Sequence, residues 1–219
     1  MLDRSTGFSP EGLPYLCLAG FATLLMALMG WTLLTLLGLG LVAFIGHFFR
    51  DPERVQPDDA DAVIAPADGK VIKASRAVDP ISGEERQVVC IFMNVFNVHV
   101  NRMPVSGKVE TIQYIPGKFF NASLDKASEH NERNVIEVIG KGNQRFTLVQ
   151  IAGLIARRIV CFVEKGDKLK RADRFGLIKF GSRVDLYFPD GYEPVVFVGD
   201  KVFAGETVIA RKKTGTENG

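Results

Sequence analysis

One Gly-Ser pair, Gly181-Ser182, sits inside the strand-like run GLIKFGSRVDLYFP, residues 176–189. Glycine is costly in a strand interior and marks a bulge, a bend or a close backbone approach. A hydroxyl directly after glycine can attack the carbonyl carbon of the Gly–Ser bond, because no side chain crowds the glycine. The product is an ester, and β-elimination followed by hydrolysis would cut the chain and leave a pyruvoyl group in place of the serine. Alone the pair is a weak signal, expected about once by chance in a chain this rich in glycine.

Two further places could supply acid–base chemistry. His99 lies in NVFNVHVNRMP (94–104), an alternating apolar stretch that a proline ends. A hydrogen-bonded structural histidine is the plainer use of such a position. As a functional group, its imidazole would titrate near neutral pH. His130 is the other imidazole beyond the apolar N-terminus, and His47 falls at that segment's boundary. Asp68, in APADGKV (65–71), reads first as a turn residue. Its carboxylate could also orient an imidazole, as the acid of a triad does. The polar stretch through Gly117–Ala122, Asp125–Ser128 and Asn131–Arg133 is a solvated loop or short helix by default, or a loop that contacts a headgroup. No CxxC, SxxK, GxSxG, HExxH, GxGxxG or Walker pattern occurs, so the common nucleophile, metal and nucleotide routes lack support. Cys17, Cys90 and Cys161 are isolated, which supports neither a disulfide framework nor a zinc site.

The elements that must position these groups divide the chain in two. Of 219 residues, 27 are Lys or Arg and 25 Asp or Glu, a net charge of +2 that argues against binding nucleic acid through phosphate neutralisation. A hydrophobic content of 47% rules out a disordered tail. Gly12 through Phe49 carries no charged side chain. As one straight helix, residues 13–49 would run about 55 Å, against a hydrocarbon core of roughly 30 Å. Two short helices broken near Gly30 fit better, with one tilted span or partial embedding as alternatives. The run is too long for a signal-peptide core and lacks a clear cleavage site. Arg4, Arg50 and Arg54 flank it, so a hairpin would leave both ends in the cytoplasm. The expected organisation is a tail over 1–12, a hydrophobic membrane segment over 13–49 and a β-rich domain over 50–219.

In that domain the apolar runs are short, β-branched and punctuated by Gly, Pro and Asp. Strands are expected over 88–93, 111–115, 134–139, 145–151, 157–163, 177–188, 194–198 and 207–210. Val184, Leu186 and Phe188 would face one way; Arg183, Asp185 and Tyr187 the other. Gly166-Asp167-Lys168-Leu169 is echoed 33 residues later by Gly199-Asp200-Lys201-Val202. The expected class is mainly β, a compact sandwich or barrel with turns like those of lipoyl domains, preceded by the helical apolar segment.

Taken in order, FFRDPER (48–54), APADGKV (65–71), FMNVFNVHVNRMPVSG (92–107), GKFFNASLDKASEHNERN (117–134), VQIAGLIARRIV (149–160) and RFGLIKFGSRVDLYFP (174–189) resemble the phosphatidylserine decarboxylases of the short bacterial and archaeal type. Six ordered motifs are specific where one Gly-Ser pair is not. The resemblance implies an enzyme made as a proenzyme. It would cut itself between Gly181 and Ser182 into a β chain (1–181) and an α chain (182–219), paired as a heterodimer. Ser182 would become a covalent pyruvoyl group, the pyruvate cofactor, and form a Schiff base with phosphatidylserine. Loss of CO2 would then give phosphatidylethanolamine, with no metal and no PLP. His99 would serve as acid and base, with Asp68 as its partner. Longer family members carry a second histidine where this chain has Asn101 and Arg102, so His99 does both jobs or another group takes one. The partners implied are phosphatidylserine and the lipid bilayer, at the cell membrane, with the catalytic domain on its cytoplasmic side; higher oligomers stay open. A membrane-anchored, lipoyl-like adaptor or carrier without catalysis is the contrasting expectation, and it predicts an intact chain.

Overall fold

Where the sequence expects one strand over 177–188, the chain instead forms two strands in different sheets. The computed structural model describes residues 7–59, 61–123, 130–153, 158–179 and 181–213. They belong to two compact units, Met1–Glu53 and Arg54–Gly219.

In the first unit a short 3-10 turn at Pro10–Gly12 leads into α1 (Leu13–Leu28), and α2 (Thr32–Phe48) follows. Pro14 suits the first turn of α1, where its missing N–H costs nothing. Gly30 then takes a φ of +77°, the left-handed conformation that ends a helix. The two helices pack where Thr23 meets Gly38: a Cβ at position 38 would collide with the Thr23 side chain. Small residues at such crossings let helices approach closely. Thr23 Oγ1 donates back to the Ala19 carbonyl, so its hydroxyl is satisfied within the helix. Most leucines of both helices are exposed. The stretch Pro10–Leu28 is long and apolar enough to cross a membrane, and Thr32–Phe48 is shorter.

The second unit is built on an eight-stranded antiparallel sheet, curled into a half-barrel. In spatial order its strands are β13 (Lys201–Val202), β2 (Gly69–Val78), β3 (Glu85–Met93), β11 (Ser182–Tyr187), β7 (Arg145–Ala152), β6 (Arg133–Gly140), β5 (Gly107–Ile115) and β9 (Lys168–Leu169). Two three-stranded sheets complete it. One is β4 (Val100–Arg102), β10 (Arg174–Ile178) and β8 (Ile159–Cys161), with β10 central; the other is β1 (Val63–Ile64), β14 (Val208–Lys212) and β12 (Tyr192–Pro194), with β14 central.

Alternation decides the packing. Val71, Val89, Ile91, Met93, Ile136, Val138, Leu148, Val184 and Leu186 fill the larger core, while Val88, Cys90, Val135, Val149, Ile151 and Tyr187 form a second cluster. β11 is central and buried at every position, including its polar row of Arg183 and Asp185. The break before it falls at Gly181, whose φ of +73° turns the chain from β10's sheet into the large one. A β-branched or aromatic residue there would be strained.

The echoed Gly-Asp-Lys turns are structurally equivalent. In one, Gly166 donates to the Val109 carbonyl, Val109 donates to the Asp167 carbonyl, and Asp167 Oδ2 accepts from the Glu164 N–H. In the other, Gly199, Val71, Asp200 and Phe197 repeat those bonds. Each turn thus clasps a Gly-Lys-Val strand start, at Gly107 and at Gly69.

Candidate active site

Ser182 opens β11 with Met93 of β3 opposite on one side and Ala152 of β7 on the other. Its hydroxyl is fully buried and donates to the Met93 thioether, Oγ to Sδ 3.9 Å. A thioether is a weak acceptor, so the hydroxyl is held loosely for a buried group. The carbonyl of Gly181, the bond Ser182 would attack, lies against Gly153: a Cβ at position 153 would collide with that oxygen and also touch Ala122. Glycine at 153 therefore lets the β7 end close onto the target carbonyl.

His99 is fully buried on the connection from β3 to β4. That connection is tied by side-chain amides, with Asn94 N–H donating to Asn97 Oδ1 and Phe96 N–H to Asn94 Oδ1. His99 Nδ1 is 2.9 Å from the Asn97 carbonyl oxygen. A carbonyl only accepts, so Nδ1 carries the proton and Nε2 keeps its lone pair. That lone pair faces the Gly181 N–H, 3.4 Å away. The His99 carbonyl accepts from the Ile178 N–H, so the same residue grips the chain on its way into Gly181. The structure thus brings His99, Gly181 and Ser182 together.

Asp68 sits at the same end of the sheet but does not bond to His99. Its carboxylate accepts from Arg54 Nη2 at 3.0 and 2.8 Å, and from the Ala204 N–H at 2.8 Å. Arg54 also reaches Glu206 at 3.3 Å and lies over the Phe203 ring. The Asn97 carbonyl, not Asp68, sets the His99 tautomer. Gly69 lets β2 come in beside Asp68, because a Cβ there would collide with the Phe92 carbonyl. His130 is exposed and packs edge-on against Phe120, at a ring separation of 6.5 Å. His47 belongs to α2 of the first unit. Asp125–Ser128, part of the expected headgroup loop, and Phe180 lie outside the described residues.

Two buried polar groupings escape sequence reasoning. The first is a row of carboxamides: Asn134 Nδ2 donates to Gln150 Oε1, Gln150 Nε2 to Asn101 Oδ1, and Asn101 Nδ2 to the same Met93 sulfur that holds Ser182. Gly176 of β10 makes room for it, since a Cβ there would sit 2.6 Å from Gln150 Nε2. Gln150 within the apolar run TLVQIA was the available signal. The second lies directly beyond Ser182. Arg183 clamps Asp185 with two bonds, of 2.6 and 2.9 Å, and reaches the Cys90 sulfur at 3.1 Å. Burial works against the Arg183 charge, but Asp185 and the Cys90 sulfur together outweigh it and hold the guanidinium more firmly cationic than usual. Burial, reinforced by Asp185, pushes the Cys90 thiol well up, so it stays protonated and inert. Among the described residues no three His, Cys, Asp or Glu side chains gather as a metal site would require.

The profile of one protein family, phosphatidylserine decarboxylase, matches residues 41–210. The phosphatidylserine decarboxylase proenzyme of Nitratidesulfovibrio vulgaris is 56% identical over 212 residues, covering 97% of this chain and 98% of that protein. The proenzyme of the same name from Solidesulfovibrio magneticus is 57% identical over 206 residues, covering 94% and 96%. That of Geotalea uraniireducens is 44% identical over 209 residues, covering 95% and 98%. A buried serine after a left-handed glycine, an imidazole facing that glycine, and this extent of identity lead to one conclusion: the chain belongs to the phosphatidylserine decarboxylase family.

Proposed function

We propose that the protein decarboxylates phosphatidylserine to phosphatidylethanolamine after cutting its own chain between Gly181 and Ser182. The observation that carries this is the set of contacts on Gly181, whose N–H meets His99 Nε2 and whose carbonyl meets Gly153, one residue before a buried hydroxyl that donates to a thioether.

Maturation follows from these groups. Ser182 Oγ adds to the Gly181 carbonyl carbon as its proton passes to a base. The C–N bond then breaks and the nitrogen takes a proton, which leaves an ester between Gly181 and Ser182 Oγ. Removal of the Ser182 α-proton expels the Gly181 carboxylate. The dehydroalanine that remains tautomerises to an imine, and water hydrolyses it to the pyruvoyl ketone with release of ammonia. His99 is the base we assign, because its unprotonated Nε2 already lies against Gly181.

The residues present fit a pyruvoyl group at position 182. It would be held by β11, which is paired on both sides, with Met93, Ala152 and Gly153 around it. When present, such a group supplies the electron sink that loss of CO2 from the serine headgroup requires. The chain's own contribution is to bury the position and to deliver a proton to the α-carbon once CO2 has left. We assign that delivery to His99 Nε2, which lies 3.4 Å from the Gly181 nitrogen. The α chain would not drift away after the cut. Ser182–Tyr187 stays paired to both β3 and β7, Lys201–Val202 to β2, and Val208–Ala210 to β1.

The apolar helices would keep this unit at the membrane that holds its diacyl substrate, and the flanking arginines favour the cytoplasmic face. Ser182→Ala tests the proposal. It should remain one 24.1 kDa chain and form no phosphatidylethanolamine, whereas Ser182→Thr should cut slowly. A carrier without catalysis would leave the wild-type chain intact as well.

A further inference from the structure

Four strand ends meet at the edge of the sheet that carries the site. β2 starts at Gly69 and β3 ends at Met93, with Lys70 opposite Phe92. β11 starts at Ser182 opposite Met93, and β7 ends at Ala152 opposite Ser182. Three phenylalanines leave the sheet at this edge. Phe96 lies three residues past Met93 and three before His99, and is 66% exposed. Phe203 follows Val202, which pairs with Gly69, and precedes Ala204, whose N–H holds Asp68; it is 49% exposed. Phe120 is clamped through its backbone by Asn131, whose Nδ2 also donates to the Ala152 carbonyl; it is 41% exposed.

Single exposed apolar side chains are ordinary. Three large rings, each within a few bonds of a different site residue, are not scattered. Two exposed cations share the edge. Lys118 is two residues before Phe120, and Arg158 gives its carbonyl to the N–H of Lys179, two residues before Gly181. Aromatic rings beside basic side chains are the composition that settles at the headgroup level of an anionic bilayer.

We propose that Phe96, Phe120 and Phe203 form a rim by which the catalytic unit itself docks on an anionic phospholipid surface, seating the sheet edge where β11 starts at headgroup depth. The apolar helices tether the enzyme; the rim sets how its site meets the lipid. This rests on the proposed decarboxylase function, because the rim would hold the sheet end where β11 starts at Ser182 against the headgroups while the acyl chains stay in the bilayer.

The test uses the full chain. Its one tryptophan, Trp31, is replaced by phenylalanine, and a single Trp is placed at 96, 120, 203 or, as control, 78. Val78 is 59% exposed at the opposite end of β2, about 30 Å from Gly69 at 3.3 Å per residue. With vesicles of phosphatidylglycerol and phosphatidylcholine bearing doxyl-labelled acyl chains, Trp at 96, 120 and 203 should shift to the blue and be quenched, and Trp at 78 should not. Emission at the three rim positions as solvated and unquenched as at 78 overturns the proposal. So does emission that changes with protein concentration and not with lipid, which would make the rim a contact between copies of the chain. The triple variant Phe96→Ser, Phe120→Ser, Phe203→Ser should lose about tenfold more activity on phosphatidylserine in vesicles than on a soluble short-chain analogue. Equal loss on both also overturns it. If wild type neither cuts nor decarboxylates either substrate, it is the underlying function that fails.

Discussion

His99 touches the glycine of the Gly181–Ser182 bond with one ring nitrogen and a main-chain carbonyl with the other, so its tautomer is set before any substrate arrives. General acid–base groups contribute ~10²–10⁴-fold. His99→Ala should therefore slow phosphatidylethanolamine formation by that much per mole of pyruvoyl, and slow maturation as well. Normal cutting with turnover within a few-fold of wild type would leave His99 a structural residue. Gly153 makes a separate prediction. A methyl group there would collide with the Gly181 carbonyl oxygen, and overpacking of this kind costs about 1–3 kcal/mol. Gly153→Ala should accumulate full-length precursor on a denaturing gel while its secondary structure by circular dichroism stays that of wild type. If it matures at the wild-type rate, the contact with Gly153 does not position the carbonyl. Ser182 and His99 are singled out in the sequence by the ordered motifs that contain them, since a lone Gly-Ser pair is a weak signal and a lone buried histidine is more plainly structural. Gly153 is not, because its importance lies in a contact with a residue 28 positions away.

β11 carries the site at one end and a buried charge pair along its length. Removing one partner of such a pair typically costs about 3–5 kcal/mol, because the other charge is left buried. Asp185→Asn should lower the unfolding free energy measured in urea by that amount, whereas replacing Arg183 and Asp185 together with apolar residues should recover much of it. A single and a double variant of equal stability would show that the pair is not coupled. The strand's alternation was readable from Val184 and Leu186 against Arg183 and Asp185. Its polar row reads as solvent-facing by pattern, yet β3 and β7 flank it and it is buried, which only the strand order reveals. Three more elements show the same limit. The apolar run over 177–188 looks continuous, but Gly181 divides it between two sheets. β2, GKVIKASRAV, was missed beyond its opening turn because lysines and an arginine interrupt its apolar residues. The Asn134–Gln150–Asn101 row draws on three strands that no local pattern links.

At the scale of the molecule, charge distribution alone separated an uncharged N-terminal stretch from the β-rich remainder, and the compact units divide close by, at Glu53 and Arg54. Function was legible through motif order and not through composition, since strand, turn and charge content are shared by many β domains. Removing Met1–Glu53 should leave self-cutting in place and reduce activity on bilayer phosphatidylserine far more than on a soluble short-chain analogue. Equal reduction on both would mean that the helices shape the site as well as tether it. The central claim is that Gly181–Ser182 is cut and that residue 182 becomes a ketone, and intact-mass spectrometry of active enzyme tests it most directly. The account predicts two chains that separate only on denaturation, about 20 kDa and about 4 kDa at ~110 Da per residue. The smaller should begin with a pyruvoyl group at position 182 and gain the mass of one hydride and one proton when borohydride reduces that ketone to an alcohol. A single uncut 24.1 kDa chain in an active preparation, or a free amine at residue 182, would contradict it.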